Sequence, residues 1–246
     1  MFHPNGPTLR ELARQALSST EQGYDLLAPK FDYTPFRTPD AILRAAAESL
    51  PVGPSFDRGL DLCCGTGAGM EMLRPFCREC LVGVDFSRGM LAVARQRLAA
   101  QPGKARVELV RGDVLALPFG PVFDIVVCFG AFGHIRKQDQ LSFLSEVARV
   151  LTPGGRFVFV TSYLPPPWSA RYWLGHGFNS FMHLRNLLVS PPFVMYYLTF
   201  VLPDVQPLLE QVGLEVQVQR PRRLGRRWGD LRLVTATRPG GAPRRR

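Results

Sequence analysis

The sequence predicts an α/β fold organised around a parallel sheet, and three observations carry that prediction. An apolar run, Leu60-Asp61-Leu62-Cys63-Cys64, opens directly into the glycine-rich Gly65-Thr66-Gly67-Ala68-Gly69. A second run, Val82-Gly83-Val84, ends in Asp85, twenty residues beyond Gly65. Further short apolar runs follow at residues 107–110 and 123–130, with a helical pattern before the next. Strand, tight turn, helix and strand at this spacing deliver a carboxylate to the ribose hydroxyls of a bound nucleoside. The chain of 246 residues, 46% hydrophobic, suffices for one large α/β domain with a cap.

The elements justify themselves in order. Thr38-Pro39-Asp40 predicts the capped start of an alanine-rich helix over 41–50. Residues 60–64 and 82–85 are the first two strands, and 107–110 is a third, ending in Arg111-Gly112-Asp113-Val114. Residues 123–130 form a fourth, and 144–158 read as a helix, a Pro153-Gly154-Gly155 turn and a fifth strand. A long segment, 162–203, carries few charges and ten aromatic residues, as binding loops or lids do. After it, 205–212 is a helix stopped by Gly213, residues 214–219 alternate as a half-exposed strand, and 231–237 is a last strand. The expected division is 1–50 as an N-terminal helical cap, 51–161 as the core and 162–203 as an inserted aromatic cap. Residues 204–238 complete the sheet, and 239–246 form a basic, disordered tail.

The glycine turn itself discriminates between nucleoside cofactors. A dinucleotide site needs G-x-G-x-x-G so that backbone can approach a pyrophosphate. Here the turn is G-T-G-A-G, and Asp61, four residues before its first glycine, suits a cationic ammonium instead. Over about residues 56–161 these motifs, in this order, resemble the Rossmann-like (class I) S-adenosylmethionine-dependent methyltransferases. The resemblance implies a seven-stranded, mostly parallel sheet with a C-terminal antiparallel edge pair and a helical, aromatic cap. It implies S-adenosyl-L-methionine as cofactor, held by Asp61, Cys63, Gly65, Thr66, Gly67, Asp85, Phe86, Met90, Gly112, Asp113, Val114 and Phe129. Gly23-Tyr24-Asp25-Leu26-Leu27-Ala28-Pro29-Lys30-Phe31-Asp32 resembles the segment that folds over the cofactor in small-molecule methyltransferases, including the ubiquinone and menaquinone C-methyltransferases. By that resemblance Tyr24 contacts the cofactor.

The acceptor is described mainly by what is missing. Cys128-Phe129-Gly130-Ala131 stands where amino-methyltransferases carry an Asp/Asn/Ser-Pro-Pro-aromatic motif, and no proline precedes Cys128 as in cytosine C5 enzymes. No acidic cluster suggests a magnesium site, and Cys77-x-x-Cys80 lacks the second ligand pair that structural zinc needs. The two cysteines are expected at a helix end, with no metal. His134, just after the fourth strand, is the candidate general base, ahead of His176, His183 and Tyr163. Tyr163, Trp168, Tyr172 and Trp173 are candidate acceptor contacts, although aromatics in such a segment also pack on one another or form interfaces. The expected function is methyl transfer to a small lipophilic acceptor such as a quinone precursor, an aromatic polyketide-type metabolite or a lipid head group. Two alternatives stay open: a nucleic-acid methyltransferase, and a cofactor-binding protein without catalysis.

Charge and hydropathy bear on location. The formal net charge is +10, and residues 220–246 hold ten arginines against one acid, Asp230. Such a tail is either solvated chain or an attachment to anionic lipid or nucleic acid. Residues 187–202 are apolar but interrupted by Pro191-Pro192, which suits an interfacial rather than a spanning segment. No apolar run reaches transmembrane length, so a cytoplasmic protein is expected, peripheral to the membrane if attached at all. Nucleic acid is the weaker partner expectation, and the oligomeric state stays open.

Overall fold

The computed structural model describes residues 3–101, 103–221, 224–225 and 229–240. Helix α1 (Leu9–Ala16) is started by a reciprocal cap in which the Glu11 amide donates to Thr8 Oγ1 and the Thr8 amide to Glu11 Oε2. Helix α2 (Thr20–Leu27) follows, capped by Ser19, and runs into a 3-10 turn over Ala28–Tyr33. Helix α3 (Asp40–Ala47) is shorter than its alanine pattern suggests. Pro39 occupies its cap position and no side chain caps it, so the capped start expected at Thr38-Pro39-Asp40 is corrected.

The core alternates from there: β1 (Phe56–Leu62), α4 (Ala68–Leu73), β2 (Cys77–Asp85), α5 (Arg88–Ala99), β3 (Arg106–Arg111), β4 (Phe123–Cys128), α6 (Gln140–Val150) and β5 (Leu151–Ser162). Helix α7 (Ala170–Leu188), helix α8 (Leu202–Gln211), β6 (Glu215–Gln219) and β7 (Leu231–Thr237) complete the order. The described residues form a seven-stranded sheet in the order β3-β2-β1-β4-β5-β7-β6. Strands β1 to β5 pair in parallel, and β7 runs antiparallel to both β5 and β6.

Both faces of the sheet are covered, and β4 shows how. Its Val126 and Cys128 pack with Phe143, Val147 and Leu209 from α6 and α8. Its Ile125 and Val127 point the other way, among Met70, Leu73 and Leu98 from α4 and α5. Alternate side chains serving two cores make a fully buried strand read as a continuous apolar run. Phe143, Phe157 and Phe159 are completely buried, and truncating any of them to alanine would cost about 3–5 kcal/mol.

Three further expectations are corrected. Cys77 and Cys80 lie in β2 rather than at a helix end, because that strand begins earlier than its apolar run. Pro153-Gly154-Gly155 does not separate helix from strand; it is an irregularity inside β5, where the pairing with β4 jumps from Leu151 to Arg156. The apolar run 187–202 is not one interfacial segment, since Phe193, Phe200, Val201 and Leu202 are buried. Among the described residues no helix is long and apolar enough to cross a membrane. Of the arginine-rich segment, residues 222–223, 226–228 and 241–246, which hold seven of its ten arginines, lie outside the described residues.

Candidate active site

Strand β1 lies between β2 and β4, so the helices that follow β1 and β4 leave on opposite sides and a crevice opens at their carboxyl ends. The turn leaving β1 is tight, with left-handed backbone at Cys63 (φ 53°), Gly65 (φ 51°) and Gly67 (φ 86°). Gly65 has open space where a Cβ would stand, so its bare backbone forms cavity wall. A Cβ on Gly69 would stand 2.5 Å from Asp61 Oδ2, so glycine there is what lets α4 start against a buried carboxylate.

The two carboxylates of the cavity have different surroundings. Asp85 Oδ2 accepts from the Gly65 amide at 2.8 Å, and Oδ1 from the Ser87 amide at 2.9 Å. These bonds tie the ends of β1 and β2 together and fix the carboxylate's orientation. Asp61 is 2% exposed, and among the described residues its Oδ2 has no hydrogen-bond partner. Burial, followed by the nearby Asp85 charge, raises its pKa well above the ordinary carboxylate range. A buried carboxylate oxygen without a donor is costly unless a ligand supplies one.

The N-terminal segment closes over this turn through two acids. Asp25 Oδ1 accepts from Ser87 Oγ at 2.6 Å and from the Gly89 amide at 2.8 Å, at the start of α5. Asp32 accepts from Thr66 Oγ1 at 2.7 Å and pairs with Arg97 and Arg37. Neither acid was singled out from the sequence, because their partners lie 62 and 34 positions away and no local spacing marks them.

At the other end of the cavity, His134 is held on both ring nitrogens. Its Nδ1 is 2.6 Å from the Val194 carbonyl, and its Nε2 is 2.7 Å from Tyr24 Oη. A carbonyl only accepts, so Nδ1 carries the proton and Nε2 accepts from the Tyr24 hydroxyl. Burial lowers the His134 pKa below its ordinary value and raises that of Tyr24, which keeps both groups neutral. The pair is braced by Phe193 stacked on Tyr24 at 6.2 Å and by Phe86 edge-on at 6.3 Å. Neither ring nitrogen of His134 is therefore free: one is held by the Val194 carbonyl and the other by the Tyr24 hydroxyl.

One cavity of about 230 Å³ brings together Tyr24, Asp61, Cys63, Gly65, Thr66, Asp85, Phe86, Met90, Phe129 and His134 from the sequence-derived set. Phe31 of the N-terminal segment and Tyr197 of the aromatic segment join them, as do Phe36, Arg37 and Met195, which were not singled out because they sit in irregular segments. Gly67, Gly112, Asp113 and Val114 do not line it. Gly112 donates its amide to the Asp85 carbonyl behind the site, exposed Asp113 accepts from the Leu115 amide, and Val114 packs on the core. Trp168 and Trp173 are 86% and 65% exposed, and Tyr172 stands beside His176, all away from this cavity. Tyr163 lines a separate groove.

Among the described residues no group of three or more His, Cys, Asp or Glu is placed to hold a metal ion. Burial pushes the Cys77 thiol up to about 12 and raises Cys64 well above the ordinary thiol value, and the hydrogen bond with Cys63 followed by burial does the same for Cys128, so these sulfurs stay protonated. The donor set does fit S-adenosylmethionine. The unpartnered Asp61 oxygen would take its ammonium and the remaining acceptor capacity of Asp85 its ribose hydroxyls, with Phe86, Met90 and Phe129 as apolar wall.

Comparison with known proteins agrees with this architecture. Residues 60–155 match the family described as a methyltransferase domain. A demethylmenaquinone methyltransferase of Lactococcus lactis is 38% identical over 111 residues, covering 43% of this chain and 42% of that protein. One of Deinococcus radiodurans is 41% identical over 130 residues, covering 52% and 51%. The chain thus spans about half the length of the relatives it matches. A Haemonchus contortus N-methyltransferase solved with phosphomonomethylethanolamine and S-adenosylhomocysteine superposes with a TM-score of 0.60 at 20% identity, over 81% of this chain and 53% of that one. Residues 60–155 therefore carry a methyltransferase domain, in a chain that has the Rossmann-like fold of class I S-adenosylmethionine-dependent methyltransferases and resembles the menaquinone methyltransferases.

Proposed function

We propose that this protein transfers a methyl group from S-adenosyl-L-methionine to a small lipophilic acceptor, a hydroxylated ring of quinone type. The observation that carries the reading is a buried, unpartnered Asp61 oxygen sharing one cavity with a neutral Tyr24–His134 pair. The names of the relatives from Lactococcus lactis and Deinococcus radiodurans favour a quinone-type ring over other apolar acceptors.

When bound, the cofactor supplies a methyl group on a cationic sulfur, open to in-line displacement. Asp61 and Asp85 fix the two polar ends of the cofactor. Phe31, Phe36 and Phe129 keep water from the reacting groups. Tyr24 Oη takes the proton of an acceptor hydroxyl while passing its own to His134 Nε2, so negative charge develops on the acceptor ring and not on a solvated base. The Val194 carbonyl then stabilises the imidazolium through Nδ1.

Peripheral contact with an anionic membrane belongs to the same reading. Trp173, Leu184, Leu187 and Leu188 of α7 are exposed, and residues 163–203 contain no acid. Among the described residues nucleic acid gains no comparable support: Arg232 lies over the Tyr163 ring at 5.1 Å and Arg238 donates to the Leu151 carbonyl.

Incubation of the purified protein with methyl-labelled S-adenosylmethionine and either a 1,4-naphthohydroquinone or bulk cellular RNA tests the reading. Label in the quinone, at a ring carbon or an oxygen, is expected. Label in RNA alone, or cofactor binding with no transfer to the quinone or to extracted lipids, would overturn it.

A further inference from the structure

The cavity at the β1 and β4 ends is small for the task proposed. At about 230 Å³ it falls below the 300–1,000 Å³ common for ligand sites, too small to house a long apolar chain as well as a cofactor. Beside it runs a groove of about 780 Å³ between α7 and the ends of β5 and β7. Tyr197 lines both. The groove's walls are largely apolar, from Tyr163, Leu174, Phe178, Leu198 and Leu231, and its charged groups, Arg171 and Asp230, pair with each other at 3.1 Å on the rim.

The partition between the two spaces is built rather than incidental. Asn179 of α7 grips the Tyr197 backbone on both sides, donating to its carbonyl and accepting from its amide at 2.8 Å each. Leu198 is held in left-handed backbone (φ 57°), a conformation that costs energy for a branched side chain and survives only where the surroundings impose it. The surroundings do so through Gly175, where a Cβ would stand 2.7 Å from Leu198 Cδ1. Phe178 meets the Tyr197 ring edge-on at 4.8 Å. Gly175 and, one turn on, Phe178 and Asn179 thus fix a two-residue wall, of which Tyr197 borders both the methyl-transfer cavity and the apolar trough and Leu198 the trough.

We propose that this groove binds an apolar chain carried by the methyl acceptor, which passes Tyr197 so that the ring reaches Tyr24 while the chain lies along α7. The assignment rests on the methyl-transfer reading above for the direction of entry, and on the meeting of groove and cavity at Tyr197, which lines both, for the occupant. A ligand of ring and chain fills two spaces that meet at one side chain. Leu174, 72% exposed, sits at the outer lip, where such a chain leaves a lipid phase.

The test is binding of 2-n-alkyl-1,4-naphthoquinones, with chains from none to about twelve carbons, to the full chain loaded with S-adenosylhomocysteine; a fully buried methylene is worth roughly fourfold in affinity and a half-buried one about twofold. The native protein should bind more tightly by about that factor per carbon until the groove is full. Leu174→Glu and Phe178→Ala should flatten the dependence, Leu187→Glu outside the groove should keep it, and S-adenosylhomocysteine affinity should be the same in all four. No dependence on chain length in the native protein, or an unchanged dependence in both groove variants, would overturn the proposal. So would a native dimer that Leu174→Glu dissolves, since a second copy would then own the groove. Chain-dependent binding without methyl transfer would support the groove and overturn the quinone reading; transfer without chain dependence would do the reverse.

Discussion

The cofactor end of the cavity is assembled from two short stretches, residues 61–69 and 85–90, whereas its acceptor end draws on α2, the loop after β4 and the loop after α7. At the first end backbone amides and two carboxylates do the holding, with partners fixed by the register of adjacent strands. At the second, a tyrosine, a histidine and a carbonyl meet across separations of 110 and 60 residues. One end is therefore determined locally and tolerates little variation. The other depends on how three distant segments pack, which is where chains sharing a core can differ in acceptor.

Breaking the acceptor end should have the largest effect on rate. Tyr24→Phe removes the hydroxyl that links acceptor to His134 and should lower kcat by about 10²–10⁴, with cofactor affinity within about twofold of native. A parallel loss of affinity would mean that Tyr24 belongs to the cofactor end. The pH profile sharpens the point. Burial depresses the His134 pKa, so the acid limb of kcat should fall below the ordinary 6.5; a limb at or above that value would contradict the relay. The same shift makes the native state bind fewer protons than the unfolded chain, so stability should decline as pH drops through 6.5 toward the lowered value.

The cofactor end should break in affinity instead. Asp61→Asn keeps the shape but removes the charge, and should weaken S-adenosylhomocysteine about 10- to 100-fold, the worth of a charged hydrogen bond. Because the carboxylate is buried with its Oδ2 unpartnered before the ligand arrives, the thermal midpoint of the ligand-free protein should stay at or above native. A drop of several degrees would show that Asp61 supports the fold. The exposed tryptophans give the smallest effect: Trp168→Ala should change kcat/KM for a water-soluble, chainless acceptor less than twofold, and a tenfold loss would bring that side chain into the site.

The same contrast explains what sequence reading reaches. Asp61, Gly65 and Asp85 were readable because strand-turn-helix spacing is local and its chemistry is backbone chemistry. Strand β6 was readable from alternation, whereas its antiparallel pairing with β7 came from the family resemblance. Asp25 and Asp32 were not, since nothing near them reveals an amide at Gly89 or a hydroxyl at Thr66. His134 was found by its place after β4, but its engagement on both nitrogens depends on Val194 and Tyr24, which no periodicity connects to it. The aromatic segment was noticed for its composition. Composition does not say which rings turn inward, and Phe193 and Tyr197 take places that Trp168 and Trp173 do not.

The central claim is that Asp61 awaits a cationic partner, and calorimetric titration of S-adenosylhomocysteine into native and Asp61→Asn protein across buffers of different ionisation heat tests it most directly. A raised Asp61 pKa means that ammonium binding must displace a proton where the carboxyl is still protonated, so the native protein should release protons at acidic pH. Asp61→Asn should bind at least tenfold more weakly and without that release. Equal affinity and equal proton release in the two proteins would contradict the account.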